Sequence, residues 1–252
     1  DYRYKSLDKW KEIYYKEAEL YNRNDNELCL ESVYGIPEFN QKEIKKSRII
    51  ACPGCYPTSA LIPLIPFMLQ GIIESEGIII DSKSGISGGG RTPKEHLLYA
   101  EAGEGVSAYG LLTHRHTSEI EQILSHVSGL NIQLIFTPHL IPIVRGMFST
   151  IYGRLKDPGL TADDCKILLD NFYRNYRNVK ILPVGTYPSS KWVRNSNDIY
   201  ISVNVDNRSG KIILLSTIDN LLKGQAGQAV QNLNLISGLN FNEGLDLTSF
   251  YP

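Results

Sequence analysis

No apolar run in the 252 residues approaches the roughly 20 that a membrane helix needs; the best candidate, 60–69, is too short. That excludes a membrane-spanning helix, and no signal-peptide pattern opens the chain. Charge of one sign is missing too. The 26 Lys and Arg are balanced by 27 Asp and Glu, a net charge of −1, and the one basic stretch, 42–48, is interrupted by Glu43 and Ile44. Nothing here favours nucleic acid or a membrane as partner. Cysteine is sparse: Cys29, Cys52, Cys55 and Cys165 do not form a secreted disulfide framework in a chain long enough to fold on its own core. A reducing, cytoplasmic setting is expected. Cys52 and Cys55 have no second Cys-x-x-Cys and no histidine pair at zinc spacing beside them, so no metal is expected. Repeats and low-complexity tracts are absent. Methionine is missing at the start, and Asp1-Tyr2-Arg3 reads like the middle of a segment, so a preceding N-terminal part is expected.

The residues present suffice for a packed core, 42% of them hydrophobic, in one or two domains. A surface helix with Trp10, Ile13, Tyr14 and Leu20 at helical spacing is predicted over 6–24, running into an asparagine-rich loop. A short extended piece over 28–34 and a helical turn over 42–46 lead to a strand at Ile49. Pro63 and Pro66 predict a kinked or interrupted helix after Cys55. Strands are predicted at 77–82, 132–136 and 146–155, a loop of close backbone approach at 85–91, and a helix at 93–100. Ile120, Ile123, Leu124 and Val127 share one face of a helix over 117–127. A Thr161 cap starts a helix reaching 176. Residues 199–205 and 211–216 form a hairpin, and a last helix at 227–236 closes at Gly238. Long strands joined by hairpins and helices indicate an α+β layer.

The chemistry concentrates at Pro53-Gly54-Cys55-Tyr56-Pro57-Thr58, between a strand and a helix start. A cysteine there meets unpaired N–H groups and the positive end of the helix dipole. A lowered thiol pKa and a thiolate nucleophile are expected. Most free cysteines are buried fillers, but the tight Pro-Gly turn argues otherwise. Cys52-Pro53-Gly54-Cys55 leaves a redox pair as a rival reading. The second cluster, Thr113-His114-Arg115-His116-Thr117-Ser118-Glu119, opens a helix with two imidazoles, either a proton carrier for the sulfur or an exposed polar helix start. Ser84-Gly85-Ile86-Ser87-Gly88-Gly89-Gly90-Arg91 can expose N–H groups to phosphate or be a surface loop. Lys223-Gly224-Gln225-Ala226-Gly227-Gln228 permits close approach, to a helix or to a flat cofactor. Gly103-Glu104-Gly105-Val106-Ser107-Ala108 matches Gly-x-Gly-x-x-Ala but lacks the strand before and the helix after it.

Taken in order, PGCYPT, SGISGGGR, HRHTSEIEQ, FTPHLIPIVRGM and KGQAGQAVQN resemble the N-acetyl-gamma-glutamyl-phosphate reductase family, within the wider semialdehyde dehydrogenase group. Cys52 departs from the asparagine usual there. The resemblance implies a fold of two kinds, α/β plus α+β. Residues 1–54 would be a remnant of a doubly wound NADP-binding domain. Residues 55–222 would be a mixed-sheet catalytic and dimerisation domain, glyceraldehyde-3-phosphate-dehydrogenase-like. Residues 223–252 would return to the nucleotide domain. It implies reduction of N-acetyl-glutamyl 5-phosphate to the semialdehyde with NADP(H), in arginine synthesis, by a homo-oligomer (dimer or tetramer). Cys55 would be the nucleophile and His114 the acid/base. Arg3 and Arg145 would be anion partners, and His116 and Glu119 would orient the amide end of the small-molecule acyl-phosphate substrate. Ser84, Gly85, Ser87, Gly88, Asn220, Gly224 and Gln228 would touch the cofactor. An aspartate-semialdehyde or aminoadipate-type reductase and a Cys-x-x-Cys thiol-redox protein are the alternatives.

Overall fold

The structure, a computed structural model, describes residues 2–21, 23–90 and 92–249, without the side chains of Lys16, Glu17 and Tyr99. Asp1 at the chain start, Asn22 in the asparagine-rich loop and Arg91 in the glycine-rich loop fall outside it.

The helix expected over 6–24 is divided into α1 (Leu7–Ile13) and α2 (Tyr15–Leu20). Ser6 caps α1, and Tyr14 leaves helical geometry at φ −111°, ψ 45°. Leu7, Trp10 and Tyr14 close with Tyr4 into an aromatic cluster apart from the main core. The extended piece expected over 28–34 is mostly helical instead: α3 (Asn26–Glu31) carries no β-branched residue, and extended backbone is confined to β1 (Val33–Tyr34). α4 (Pro37–Ile44) starts earlier than predicted because Pro37 takes the first helical turn, where its missing N–H costs nothing. β2 (Ile50–Ala51) then pairs parallel with β1.

Directly after β2 comes α5 (Cys55–Leu69), buried over nearly its whole length. It is one continuous helix, which corrects the expected interruption. Pro63 and Pro66 each leave a carbonyl without its helical donor, those of Ser59 and Ile62. Ser216 Oγ donates to the first at 2.6 Å and the Tyr173 hydroxyl to the second at 2.5 Å. The sheet and a neighbouring helix thus replace the two lost bonds.

The remaining elements are β3 (Ile78–Ser84), α6 (Tyr99–Ala102), β4 (Ser107–Ala108), α7 (Arg115–Ser128), β5 (Leu134–Leu140), β6 (Met147–Arg154), α8 (Ala162–Tyr173), β7 (Val179–Ile181), β8 (Ile199–Asp206), β9 (Lys211–Ile218) and α9 (Gly227–Ile236). The 85–91 loop contains a 3-10 turn, Ile86–Gly89. The helix expected over 93–100 is reduced to a 3-10 turn, Glu95–Leu97, before α6. Seven strands form one mixed sheet in the order β4-β5-β3-β6-β9-β8-β7, parallel at β3/β5 and β7/β8 and antiparallel elsewhere. α5 packs on β6 and β9, with α7 and α8 beside it. Ile78, Ile80, Met147, Ile151, Ile212 and Leu214 bury toward these helices. Ser59, Ser149 and Ser82 form a hydroxyl chain in this interface, at 2.7 Å per link. The opposite sheet face alternates in the expected way, with Ile79, Asp81, Lys83, Phe148, Thr150 and Tyr152 left partly open. This is the mixed-sheet architecture expected for the catalytic domain.

Candidate active site

Cys55 is the first residue of α5, capped by Gly54 in extended geometry at φ −71°, ψ 162°. It faces a cavity of about 540 Å³ walled by Cys52 to Cys55, by Ser87 to Gly90, by Arg115 and His116, and by Asn220, Leu221, Gly224 and the start of α9, with Arg3 at its side. Four of the sequence clusters, far apart in the chain, therefore meet in one cavity. Two glycines make this possible. A Cβ on Gly54 would stand 2.3 Å from His116 Nε2, and one on Gly224 would stand 2.8 Å from the Cys55 Cβ.

Glu119, almost wholly buried on α7, fixes the cysteine loop from the front. Its Oε1 accepts from the Gly54 N–H at 2.9 Å and from the Tyr34 hydroxyl at 2.7 Å; its Oε2 pairs with Arg3 Nη1 at 2.8 Å. Burial and the neighbouring carboxylate hold the Tyr34 phenol well above its ordinary pKa, so it stays a donor. Arg3 also donates to the Tyr14 hydroxyl at 2.7 Å. The substrate roles expected for Glu119 and Arg3 therefore meet groups already engaged with each other.

The histidines differ in an informative way. His114 caps α7, and its Nδ1 accepts from the His116 N–H at 3.1 Å. That bond makes Nε2 the protonated nitrogen of a neutral ring. His114 sits edge-on to Tyr56, Tyr109 and Phe136 and is not part of the cavity wall. His116, 4.8 Å from it ring to ring, is in the wall, and its Nε2 lies 4.0 Å from Glu119 Oε2, beyond hydrogen-bond reach. Burial, reinforced by Arg115, lowers His114 to about 4. Burial, with help from His114, Arg3 and Arg115, lowers His116 well below its ordinary value. Both rings are neutral at pH 7.

The expected low thiol pKa is corrected. Burial pushes the Cys55 thiol up to about 11, although the N–H groups of Tyr56 and Cys55 pull the other way. Desolvation outweighs the helix start, so the resting sulfur keeps its proton. Cys52 is a free thiol whose Sγ rests 3.7 Å from Asn232 Nδ2, and Cys55 is free as well.

Ser87, Gly88, Asn220 and Gly224 of the expected cofactor set line the cavity; Ser84, Gly85 and Gln228 do not. Ser84 Oγ is turned to the Gly85 carbonyl, and Gln228 Nε2 donates to Thr58 Oγ1 at 2.9 Å. Gly85 serves its own chain, since a Cβ there would be 2.8 Å from the Arg145 N and the Ile143 O. Arg145, expected on substrate, is on the fully buried Asp219 at 2.6 Å and outside the wall. Arg115 was not singled out, although the HRH string contains it. It is exposed at the cavity and packs over the Tyr14 ring at 5.5 Å. Gly88, Gly224, Ala226 and Ala229 put no long side chain on this part of the wall, a lining that suits a flat ring such as nicotinamide.

Residues 55–220 match the family model described as semialdehyde dehydrogenase, dimerisation domain. An N-acetyl-gamma-glutamyl-phosphate reductase of Prochlorococcus marinus strain MIT 9301 is 69% identical over the whole chain, which spans 72% of that relative. Its namesake in strain NATL1A is 62% identical, again over the whole chain and 70% of the relative. In fold, the chain is similar to the aspartate semialdehyde dehydrogenase II of Vibrio cholerae, with TM-score 0.65 at 16% identity over 82% of this chain and 69% of that one. The Francisella tularensis aspartate semialdehyde dehydrogenase gives TM-score 0.64 at 13% identity, over 82% and 71%.

Proposed function

The chain belongs to the N-acetyl-gamma-glutamyl-phosphate reductases of the semialdehyde dehydrogenase family, and on that premise we propose how its cavity performs the reaction. The reaction is reduction of N-acetyl-L-glutamyl 5-phosphate to the 5-semialdehyde with release of phosphate, a step of arginine synthesis, and it uses a nicotinamide cofactor. We take the cofactor to be NADP(H), the setting cytoplasmic, and the chain to divide at 54/55 and 222/223. Cys55 is the nucleophile. Because burial keeps its proton on, attack needs a base, and His116 Nε2 against the Gly54 backbone is the neutral imidazole nearest that loop. His116 takes the thiol proton as the sulfur bonds to the acyl carbon. The C–O bond to phosphate then breaks and a thioester remains.

When bound, the nicotinamide supplies hydride to the thioester carbon. The acid/base role first expected of His114 passes to His116, the imidazole in the cavity wall; His114 stands behind it and accepts its backbone N–H through Nδ1. Collapse of the thiohemiacetal breaks the C–S bond, and His116 returns the proton to sulfur. Such proton handling contributes about 10²–10⁴-fold. Arg115 is the cation for the phosphate, and Ser87, Gly88, Asn220, Gly224 and the α9 start receive the cofactor. The partly open sheet face is the self-association surface.

One observation carries the reading: Cys55 at a helix start, on a cavity wall shared with His116 and Gly224. The test is the acyl-enzyme. Substrate without cofactor should add the N-acetylglutamyl mass to Cys55, and Cys55→Ser should abolish both adduct and turnover. An adduct on Cys52, or equal dependence on both thiols, would turn the reading to the redox alternative.

A further inference from the structure

Behind the cavity lies an ion pair that the reaction does not use. Lys223 and Glu38 are both buried, 0% and 2% exposed, with Nζ to Oε1 at 2.6 Å. Lys223 also donates to Gln231 Oε1 at 2.8 Å, and Asn178 Nδ2 donates to the same Glu38 oxygen at 2.7 Å. Burying two charges is expensive, and an apolar pair of similar size is often as stable or more so. Stability alone therefore gives no reason for it here.

Its position does. Lys223 sits in a π-helical turn, Leu222–Ala226, directly before Gly224. The turn is defined by the Gly224 N–H on the Asp219 carbonyl at 2.9 Å and the Ala226 N–H on the Leu221 carbonyl at 3.0 Å, each five residues back. A π turn is an unfavourable insertion in a helix and persists where something holds it. At its start, the Asp219 carboxylate accepts from Leu221 N–H and Leu222 N–H at 2.9 and 3.1 Å. In its middle, Lys223 is drawn inward to Glu38 on α4. Relaxation to an α register would rotate the turn and bring a side chain, in place of Gly224, against the Cys55 Cβ.

We propose that the Lys223–Glu38 pair is a positioning device, holding the π register that keeps Gly224 facing Cys55 and thereby tying α4 to the catalytic sulfur. The inference rests on Cys55 being the nucleophile. Lys223 and Glu38 touch no substrate; they act through Gly224.

The test replaces the pair with apolar side chains in the purified enzyme: Glu38→Leu with Lys223→Met. The double variant should unfold near the wild-type temperature while kcat falls about 10²-fold, the cost of a small misplacement at the reacting centre. Substrate KM should change by less than about 2-fold, because no substrate contact is removed. Gly224→Ala, damaging in the wild-type background, should cost little more in the double variant, since the two defects share one cause. A double variant that keeps both fold and wild-type kcat overturns the proposal. Should it not fold, Glu38→Gln, which keeps size and an acceptor for Lys223, decides: a lowered kcat at unchanged KM supports the clamp, and unchanged kcat removes it. Activity surviving Cys55→Ser would instead sink the thiol reading, separately from the clamp.

Discussion

Glu119 in front of the cysteine loop and Glu38 behind it are both buried carboxylates, each paired with one cation, but they are satisfied differently. Both oxygens of Glu119 are engaged, by the Gly54 N–H, the Tyr34 hydroxyl and Arg3. Glu38 crowds Lys223 and Asn178 onto Oε1, while Oε2 has no hydrogen-bond partner among the described residues. The front carboxylate grips backbone one residue from the sulfur; the rear one grips a side chain whose neighbour is Gly224. A closed network fixes a loop, whereas a one-sided one holds a turn that could otherwise relax.

The largest break in this comparison comes from Glu119→Ala. It takes the acceptor from the Gly54 N–H and the Tyr34 hydroxyl and the carboxylate from Arg3, so denaturant titration should show a loss of about 3–5 kcal/mol. Removing the rear carboxylate alone, Glu38→Ala, should cost a comparable amount, because the Lys223 ammonium it leaves behind is fully buried with Gln231 as its acceptor. A loss below about 1 kcal/mol at Glu38 would show that the rear pair holds no buried charge.

Acid sharpens the comparison at the front wall. The folded chain holds His114 near 4, below the ordinary 6.5, so the unfolded chain takes up the proton first as pH falls. The contribution of His114 is complete above pH 6.5 and is lost as pH drops toward 4, roughly 3 kcal/mol. His116, lowered by burial as well, adds in the same direction. Replacing His114 by Asn should flatten that slope in pH-dependent unfolding; an unchanged slope would show that the ring is not buried in its neutral form.

Much of this was legible in the chain. Ile120, Ile123 and Leu124 announced α7, the 199–218 hairpin was read nearly to its ends, and the cysteine, histidine and glycine clusters do share a cavity. What stayed hidden depends on partners distant in sequence. The continuity of α5 through Pro63 and Pro66 rests on Ser216 and Tyr173, 157 and 111 residues from the carbonyls they satisfy. Arg145 looked like an anion receptor because its charge is visible in a sequence and Asp219 as its partner is not. Lys223 and Glu38 are 185 residues apart. The thiol was misjudged for a related reason: a helix start can be read from local residues, but the burial that outweighs it is a property of the folded whole.

Gly224→Ala probes the narrowest point between the two walls. Its added methyl meets the Cys55 Cβ at 2.8 Å, and overpacking of this kind costs about 1–3 kcal/mol. Turnover should suffer more than stability, since the displaced group is the nucleophile itself. Comparing kcat with the unfolding midpoint checks this, and a variant losing stability but not kcat would mean that the sulfur has room to move.

The smallest effect separates the walls most cleanly. Because burial holds the Cys55 thiol near 11, iodoacetamide should label it slowly at pH 7 without substrate, and the rate should climb through pH 9 with no neutral plateau. The Glu119 carboxylate contributes to that upward push, and Arg3 opposes it. Neutralising the front wall by Glu119→Gln should therefore move the labelling profile toward lower pH, by a fraction of a unit. Glu38→Gln, behind the helix, should leave it in place even where it lowers kcat. Labelling rates across pH, read by mass at Cys55, check both expectations. A plateau below pH 7 in the unaltered enzyme would show the helix start prevailing over burial, and equal shifts in the two variants would mean that the walls act on the sulfur by charge alone rather than by position.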